Sequence, residues 1–256
     1  MILAFTNVKG GVGKTTSAVN LAAVLARELD VLLVDLDPQG SAAYSLGVPS
    51  EPAGDSLTEV LVDARPLAEA LWETPIRGLD VAAGGIALSS AQIALARRKD
   101  PTALLRRALV PVRKHYDFII IDCPPGLGLL SLIGLGAARC FVVPVTPQYL
   151  ALEALERFFG GLERLDGELR SEARLLGILL TMIDHRTKVT EDVCRQVRKR
   201  HGGRVFGTEI PINVRLAQAP EYGSSIFDFE SWAPGALAYS RLGAEILRRA
   251  RRQGLI

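Results

Sequence analysis

The sequence predicts an α/β fold formed as a single domain by residues 1–256, a doubly wound, mostly parallel sheet with helices on both faces. Its short apolar runs are continuous rather than alternating, as expected of strands that are buried on both faces. Between these runs lie segments with apolar residues at three- and four-residue spacing, which is typical of helices. Strands and helices therefore alternate along the chain, and this order favours a parallel sheet.

The predicted strands are the apolar runs in chain order. They occupy residues 2–5, 31–34, 118–121, 141–143 and 176–180, and a shorter one at 205–206 leads towards 209–211. The predicted helices cover roughly residues 15–29, 101–115, 150–169, 189–201 and 234–252. Residues 49–77 contain several Pro and Gly and are less regular, so we expect short surface helices there.

Composition argues against several classes of protein. The chain is 48% hydrophobic and 23% charged, which is ordinary for a globular protein. No apolar stretch approaches the about 18 residues of a membrane-spanning helix, and no signal peptide is recognisable, so we expect a cytoplasmic protein. Cys123, Cys140 and Cys194 are widely spaced, and we expect core residues rather than a disulfide or a zinc site.

The positive charge is concentrated in the last part of the chain. The formal net charge is only +2, but residues 184–256 contain thirteen Lys or Arg against eight Asp or Glu. Such an asymmetry points to a surface that faces a polyanion. The alternative is that these arginines only solvate surface helices, and the sequence leaves both interpretations open.

A glycine-rich turn follows the first predicted strand and leads directly into a helix. Its residues are Lys9, Gly10, Gly11, Val12, Gly13, Lys14, Thr15 and Thr16. The glycines lack the Cβ atoms that would obstruct phosphate, and the backbone N–H groups and the helix N-terminus attract anions. Lys14 would reach the β- and γ-phosphates and Thr15 would bind Mg²⁺, so the turn predicts a P-loop that binds Mg-ATP.

The turn departs from the general P-loop pattern at one position. The pattern has a glycine five residues before the last one, whereas this chain has Val8 there, followed by Lys9. Lys9 is less suited than Lys14 to reach the phosphates of its own loop. It could point instead towards a nucleotide held by a second subunit, or be a solvated loop lysine.

Three ordered segments resemble the ParA/MinD group of ATPases, which has a deviant Walker A loop. They are residues 9–16, 31–40 and 119–125, and residues 181–184, 210–220 and 233–239 resemble the small chromosomal ParA type, also called Soj. The resemblance covers essentially the whole chain and implies a P-loop NTPase that hydrolyses ATP to ADP and phosphate with Mg²⁺. It also implies that Lys9 crosses a dimer interface to the partner's ATP. Val8, Ser41 and residues 184–187 depart from the family pattern, which leaves open a chromosomal or a plasmid replicon.

Two carboxylates follow buried strands. Asp37 and Asp122 should therefore emerge at the carboxyl edge of the sheet, where open α/β sheets bind ligands. The resemblance implies that Asp37 orients the attacking water. It also implies that Thr15 and Asp122 hold Mg²⁺, Asp122 through a water molecule. Asp35 competes for the first role, but we expect a buried, hydrogen-bonded residue that shapes the loop. The resemblance also places Pro211 and Asn213 at the adenine.

The resemblance further implies a nucleotide switch and its partners. ATP would draw two monomers into a sandwich homodimer that binds double-stranded DNA without sequence preference, and a ParB-type protein would stimulate hydrolysis. We then expect a nucleoid-associated protein without stable membrane association. The candidate DNA contacts are Arg186, Lys188, Arg198, Lys199, Arg215 and the cluster Arg248, Arg249, Arg251 and Arg252.

Three alternatives are weaker. A MinD-like membrane-cycling ATPase would end in a basic amphipathic helix, but residues 245–256 lack aromatic anchors. We expect the apolar residues of that helix to face the core; they are Leu237, Leu242, Ile246 and Leu247. An iron–sulfur protein needs a cysteine ligand set, which Cys123 and Cys140 do not form. Lys9 argues against a metabolic ligase such as dethiobiotin synthetase.

Overall fold

The computed structural model describes residues 1–49, 56–169 and 172–256. Its strands are β1 (Ile2–Phe5), β2 (Val31–Asp35), β3 (Leu71–Glu73), β4 (Leu79–Ala82), β5 (Phe118–Asp122), β6 (Cys140–Val145), β7 (Arg174–Ile183) and β8 (Val205–Pro211). Its helices are α1 (Lys14–Leu25), α2 (Ser41–Tyr44), α3 (Leu57–Asp63), α4 (Ala87–Ala96), α5 (Leu104–Leu109), α6 (Leu129–Ala137), α7 (Ala151–Leu169), α8 (Lys188–His201), α9 (Val214–Gln218), α10 (Ile226–Glu230) and α11 (Pro234–Arg252).

The eight strands form one sheet in the order β3-β4-β2-β5-β1-β6-β7-β8. Every neighbouring pair is parallel except β3 with β4, which is antiparallel. The mostly parallel sheet predicted from the sequence is therefore confirmed. In the centre, the register pairs Phe5 with Asp122 and Asp35 with Asp122, so that the carboxyl ends of β1, β2 and β5 lie side by side.

Successive residues of the central strands pack on opposite sides of the sheet. On β2, Leu32 and Val34 belong to a core that also contains side chains from α3 to α8. Val31 and Leu33 belong to a second core with α1, α2, α9, α10 and α11. Apolar side chains of the central strands contribute to both cores, which explains why these strands are continuous apolar runs and confirms helices on both faces. Cys123, Cys140 and Cys194 are buried in these cores, as expected.

Two strands and five helices of the described residues were missed by the sequence analysis, the helices being α2, α4, α6, α9 and α10. β3 has only three residues at the sheet edge, and in β4 the polar Asp80 interrupts the apolar run. α4 and α6, over residues 87–96 and 129–137, were also not predicted. Of the irregular region 49–77, residues 57–63 and 67–70 are short helices as expected, whereas 71–73 are a strand; residues 50–55 lie outside the described part.

The helix predicted over residues 101–115 is wrong as one element. The chain forms a 3-10 turn at Pro101–Ala103, the helix α5, and a further 3-10 turn at Arg113–His115. Pro111 lies just after α5 and has no N–H group for the next helical hydrogen bond, so the helix ends before it. Across the described residues, no helix is both long and apolar enough to cross a membrane.

The contact between α6 and the segment before α5 requires a glycine. A Cβ atom on Gly136 would lie 2.2 Å from the carbonyl oxygen of Thr102, which is backbone and cannot rotate away. We predict that Gly136→Ala lowers the free energy of unfolding by about 1–3 kcal/mol, because the two segments must separate. Urea denaturation of the nucleotide-free protein measures this change.

Gly160→Ala is the matched control. Gly160 also lies within a helix, α7, and a Cβ atom there would meet no atom within 4 Å. Alanine should stabilise this helix by about 0.5–1 kcal/mol relative to glycine. Equal effects of the two substitutions would show that the close approach at Gly136 does not constrain the fold.

Candidate functional site

The glycine-rich turn lies between β1 and α1, at the carboxyl edge of the sheet. Gly11 and Gly13 have φ values of 70° and 81°, in the left-handed region that residues with a Cβ atom rarely adopt. The Thr181 hydroxyl, on β7, donates a hydrogen bond of 2.9 Å to the carbonyl oxygen of Val12. The turn is therefore fixed both by its own backbone and by a neighbouring strand before any phosphate binds.

Lys14 begins α1, and its side chain is buried beneath the turn. Its Nζ atom donates a hydrogen bond of 3.2 Å to the carbonyl oxygen of Lys9. Burial lowers the pKa of the Lys14 ammonium, and the nearby carboxylates of Asp122 and Asp37 raise it. A desolvated cation beside a row of backbone N–H groups is suited to binding phosphate oxygens.

Asp35 is the buried residue that shapes the loop after β2, as expected from the sequence. Its carboxylate accepts hydrogen bonds from the backbone N–H groups of Asp37 at 3.1 Å, Ala42 at 2.9 Å and Ala43 at 3.0 Å. Burial raises the pKa of Asp35, and the three N–H groups lower it. The carboxylate thus accepts hydrogen bonds from N–H groups in the first turn of α2, which have no partner within the helix, and it fixes the path of the chain between β2 and α2.

Asp37 lies two residues beyond Asp35 and is half-buried. One of its carboxylate oxygens accepts a hydrogen bond of 3.0 Å from the backbone N–H of Gln39, while its backbone N–H is bonded to Asp35. Asp35 therefore holds the backbone of Asp37 in place, and the carboxylate of Asp37 is close enough to Lys14 to raise its pKa. A carboxylate in this position is available to a water molecule at the terminal phosphate.

Asp122 ends β5 and is completely buried. Among the described residues, neither carboxylate oxygen has a hydrogen-bond partner of normal geometry, although the Thr15 hydroxyl is near enough to favour the ionised form. Burial holds the pKa of Asp122 well above its usual range, and the neighbouring Asp35 raises it further. An unpartnered buried carboxylate costs free energy unless a cation compensates it.

The residues around Asp122 fit a magnesium ion. Mg²⁺ prefers oxygen ligands and is usually held by one or two protein groups together with water and phosphate oxygens. The Thr15 hydroxyl and the Asp122 carboxylate supply such oxygens beside the phosphate-binding turn. When bound, the ion would neutralise the negative charge of the phosphates.

A cavity of about 300 Å³ lies next to the turn, between β7 and the segment after β8. Its lining includes both residues that the family resemblance places at the adenine, Pro211 and Asn213, as well as Gly13 and Thr16 of the turn. The Oδ1 atom of Asn213 is buried and has no hydrogen-bond partner in the part of the chain that the structure describes, so it can accept a hydrogen bond from an amino group. Sequence analysis did not place the other seven lining residues at the nucleotide; they are Thr181, Met182, Ile210, Ile212, Leu216, Ala217 and Tyr239.

Lys9 lies at the outer end of the turn, and its side chain is exposed. The Nζ atom donates a hydrogen bond to the Oε1 atom of Gln148, which follows β6. The backbone N–H of Lys9 donates to the Oδ1 atom of Asn7 at 3.2 Å. Lys9 is therefore directed away from Lys14, and sequence analysis did not identify Gln148 as its partner.

The predicted DNA contacts separate into two groups along the sheet. Arg186 and Lys188 follow β7 and Arg215 lies in α9 after β8, so these three are at the carboxyl edge with the turn. Lys199 at the end of α8 and Arg248 near the end of α11 are at the opposite edge. Arg198 lies between the two groups, because it bonds to Glu209, which also bonds to His185 beside Arg186. Arg186 pairs with Asp184, Arg215 with Glu230 and Arg198 with Glu209, each at 2.8 Å.

Two expectations for α11 need correction. Arg249 is not a free cation of the basic cluster, because it pairs with Glu245, donates to the carbonyl oxygen of Val205 and stacks on Phe206. Leu237 does not face the core and is 51% exposed. Leu242 and Ile246 are buried as expected, so the apolar side of α11 is already packed on the sheet.

The fold and this site define a P-loop ATPase. A family model described as an AAA domain matches residues 1–175. The sporulation initiation inhibitor protein Soj of Bacillus subtilis is 40% identical over 246 residues, covering 96% of this chain and 97% of Soj. The chromosome-partitioning ATPase Soj of Thermus thermophilus is 45% identical over 248 residues, covering 96% of this chain and 95% of that protein.

Among solved structures, cobyrinic acid a,c-diamide synthase from Mycobacterium smegmatis, with a bound ATP analog and magnesium, superposes with a TM-score of 0.85. It is 33% identical and covers 99% of this chain and 96% of its own. The chain belongs to the AAA-domain family and, within it, to the ParA/Soj group of ATPases. It hydrolyses ATP and uses Mg²⁺ as its cofactor.

The different environments of Asp35 and Asp37 make a prediction about stability. Asp35→Ala leaves three N–H groups without an acceptor, two of them buried, so we expect the free energy of unfolding to fall by about 1–3 kcal/mol. Asp37→Ala removes one exposed hydrogen bond and should cost less than about 1 kcal/mol. Urea denaturation without nucleotide compares the two, and equal losses would contradict the loop-shaping role of Asp35.

Proposed function

We propose that this chain is a DNA-partitioning ATPase, in which Mg-ATP drives a sandwich homodimer that binds double-stranded DNA without sequence preference. A ParB-type protein then stimulates hydrolysis and returns the chain to the monomer. Relatives named as chromosome-partitioning proteins support this function. We further propose that residues 1–256 act as one domain, and that the protein is cytoplasmic and associates with the nucleoid.

The observation that carries the proposal is the position of Lys9. Two lysines flank the phosphate-binding turn, but only Lys14 is buried beneath it, whereas Lys9 extends outward and is exposed. Lys14 and the backbone N–H groups can already contact the phosphates of a nucleotide bound in the turn of the same subunit. Lys9 is therefore available to a phosphate that approaches from outside, as in a dimer in which two sites face each other.

The roles within one site follow from the geometry. We assign phosphate binding to Lys14 and to the backbone N–H groups of residues 10–16, and magnesium binding to Thr15 and Asp122. Asp37 orients the water that attacks the terminal phosphate. Pro211 and Asn213 hold the adenine, the latter through its unpartnered Oδ1 atom.

For DNA we assign the group at the carboxyl edge: Arg186, Lys188 and Arg215. Because this edge also holds ATP, a dimer formed through the ATP sites would bring two copies of the group together. Phosphate binding releases counterions, and each additional contact increases both affinity and salt dependence. The side chains of Arg186 and Arg215 are 88% and 49% exposed, so DNA phosphates can reach them without displacing other parts of the fold.

This function predicts nucleotide-dependent DNA binding. We expect Asp37→Ala, which should retain ATP, to bind a random-sequence duplex with Mg-ATP and not with ADP, and more weakly as salt increases. Replacing Arg215 by Ala in that background should reduce the slope of log affinity against log salt by about 2, since a dimer loses two contacts. Fluorescence anisotropy of a labelled duplex measures both effects.

Arg248→Ala is the matched control from the opposite edge of the sheet. It should leave the slope of log affinity against log salt unchanged. A decrease in that slope equal to the decrease for Arg215→Ala would show that DNA contacts both edges of the sheet. Absence of DNA binding in either nucleotide state, combined with ATP-dependent binding to anionic liposomes, would replace this function by membrane cycling of the MinD type.

A further inference from the structure

The side chain and backbone of Lys9 are held by three different residues of its own chain. The Nζ atom donates to the Oε1 atom of Gln148, and the backbone N–H donates to Asn7 at 3.2 Å. The carbonyl oxygen accepts the hydrogen bond from the Nζ atom of Lys14 at 3.2 Å. Although Lys9 is exposed, its amine therefore has a defined direction in the nucleotide-free chain.

Gln148 is well placed to hold that amine. It lies between β6 and α7, where its backbone N–H donates to the carbonyl oxygen of Thr146 and its own carbonyl oxygen accepts from Ala151, both at 2.8 Å. Asn7 is joined to the same strand, because its amide nitrogen donates to the carbonyl oxygen of Pro144 at 2.6 Å. The phosphate-binding turn is thus connected to the segment after β6. Within the described residues, the bond to Gln148 is the only hydrogen bond that the Lys9 amine makes.

We propose that Gln148 is a positioning residue that retains the Lys9 amine within its own subunit until a dimer forms. This inference rests on the proposed function, in which Lys9 reaches the ATP of a partner subunit. The Lys9 amine has three N–H donors, but Gln148 lies on its own chain, and the side chain must swing away from Gln148 to reach a phosphate on another chain. The bond to Gln148 must therefore break in each subunit when the dimer forms, and it opposes dimerisation.

ATP binding in the same subunit weakens the hold on Lys9 in part. When Lys14 turns to the phosphates, the carbonyl oxygen of Lys9 loses the hydrogen bond that it accepts from Lys14. The backbone of Lys9 then has one anchor fewer, while the bond from its amine to Gln148 remains. Nucleotide therefore binds first and dimerisation follows. Gln148 sets the protein concentration at which the ATP-bound chain dimerises.

The first test is the dimer dissociation constant of Gln148→Ala with Mg-ATP, measured by sedimentation in the Asp37→Ala background. An exposed hydrogen bond from a charged donor is worth about two- to fivefold in an equilibrium constant. Because two such bonds break per dimer, the dissociation constant should fall by the square of that factor, about 4- to 25-fold. Gln148→Glu, which adds a negative charge beside the amine, should raise it.

The second test measures the reactivity of the Lys9 amine in the nucleotide-free chain. Trace labelling with acetic anhydride, followed by peptide mass spectrometry, should modify Lys9 faster in Gln148→Ala than in the unmodified sequence. Gln253→Ala, an exposed glutamine beyond the end of α11, is the matched control and should change neither the labelling nor the dimer.

The outcomes separate this inference from the proposed function. Unchanged dimerisation and unchanged labelling in Gln148→Ala would overturn the positioning role. Weaker dimerisation with unchanged labelling would overturn it as well, since Gln148 would then be an interface contact. If Lys9→Ala dimerises with ATP as the unmodified sequence does, the cross-subunit role of Lys9 fails, and the proposed function fails with it.

Discussion

The site depends on one unfavourable feature, a fully buried carboxylate at the end of β5 that has no hydrogen-bond partner of normal geometry in residues 1–49, 56–169 and 172–256. Asp122 lies opposite Asp35 in the register of β5 with β2, so two acidic side chains share the dry centre of the sheet edge. Asp35 is satisfied by three backbone N–H groups, whereas Asp122 is not. The adjacent Lys14 and Thr15 explain how such a residue is tolerated, because they prepare a place for a phosphate-bound cation.

The parallel sheet is what brings these groups together. Three strand ends meet at one edge, and each is followed by a different part of the site: the phosphate-binding turn after β1, Asp37 after β2, and Asp122 at the end of β5. The strands themselves are buried on both faces and contribute stability rather than chemistry. Function can therefore change in the loops while the two cores remain intact.

The sequence was sufficient for the central strands and for the turn, because continuous apolar runs and a glycine-rich helix start are local signals. It was insufficient where neighbours in space decide the outcome. The edge strand β3 is too short to show a period, and the exposure of Leu237 depends on what α11 packs against. The partners of Lys9 and Val12 are Gln148 and Thr181, which are 139 and 169 residues away, so no pattern along the chain could reveal them.

The central claim is that the buried carboxylate of Asp122 binds Mg²⁺. It is tested most directly by calorimetric titration of the protein with ATP, once in the presence of Mg²⁺ and once in the presence of a chelator. The account predicts that the unmodified chain binds ATP more tightly with Mg²⁺ and that Asp122→Ala loses this dependence while still binding ATP. If Asp122→Ala retains the full magnesium dependence, the buried carboxylate does not serve the metal and the account of this site is wrong.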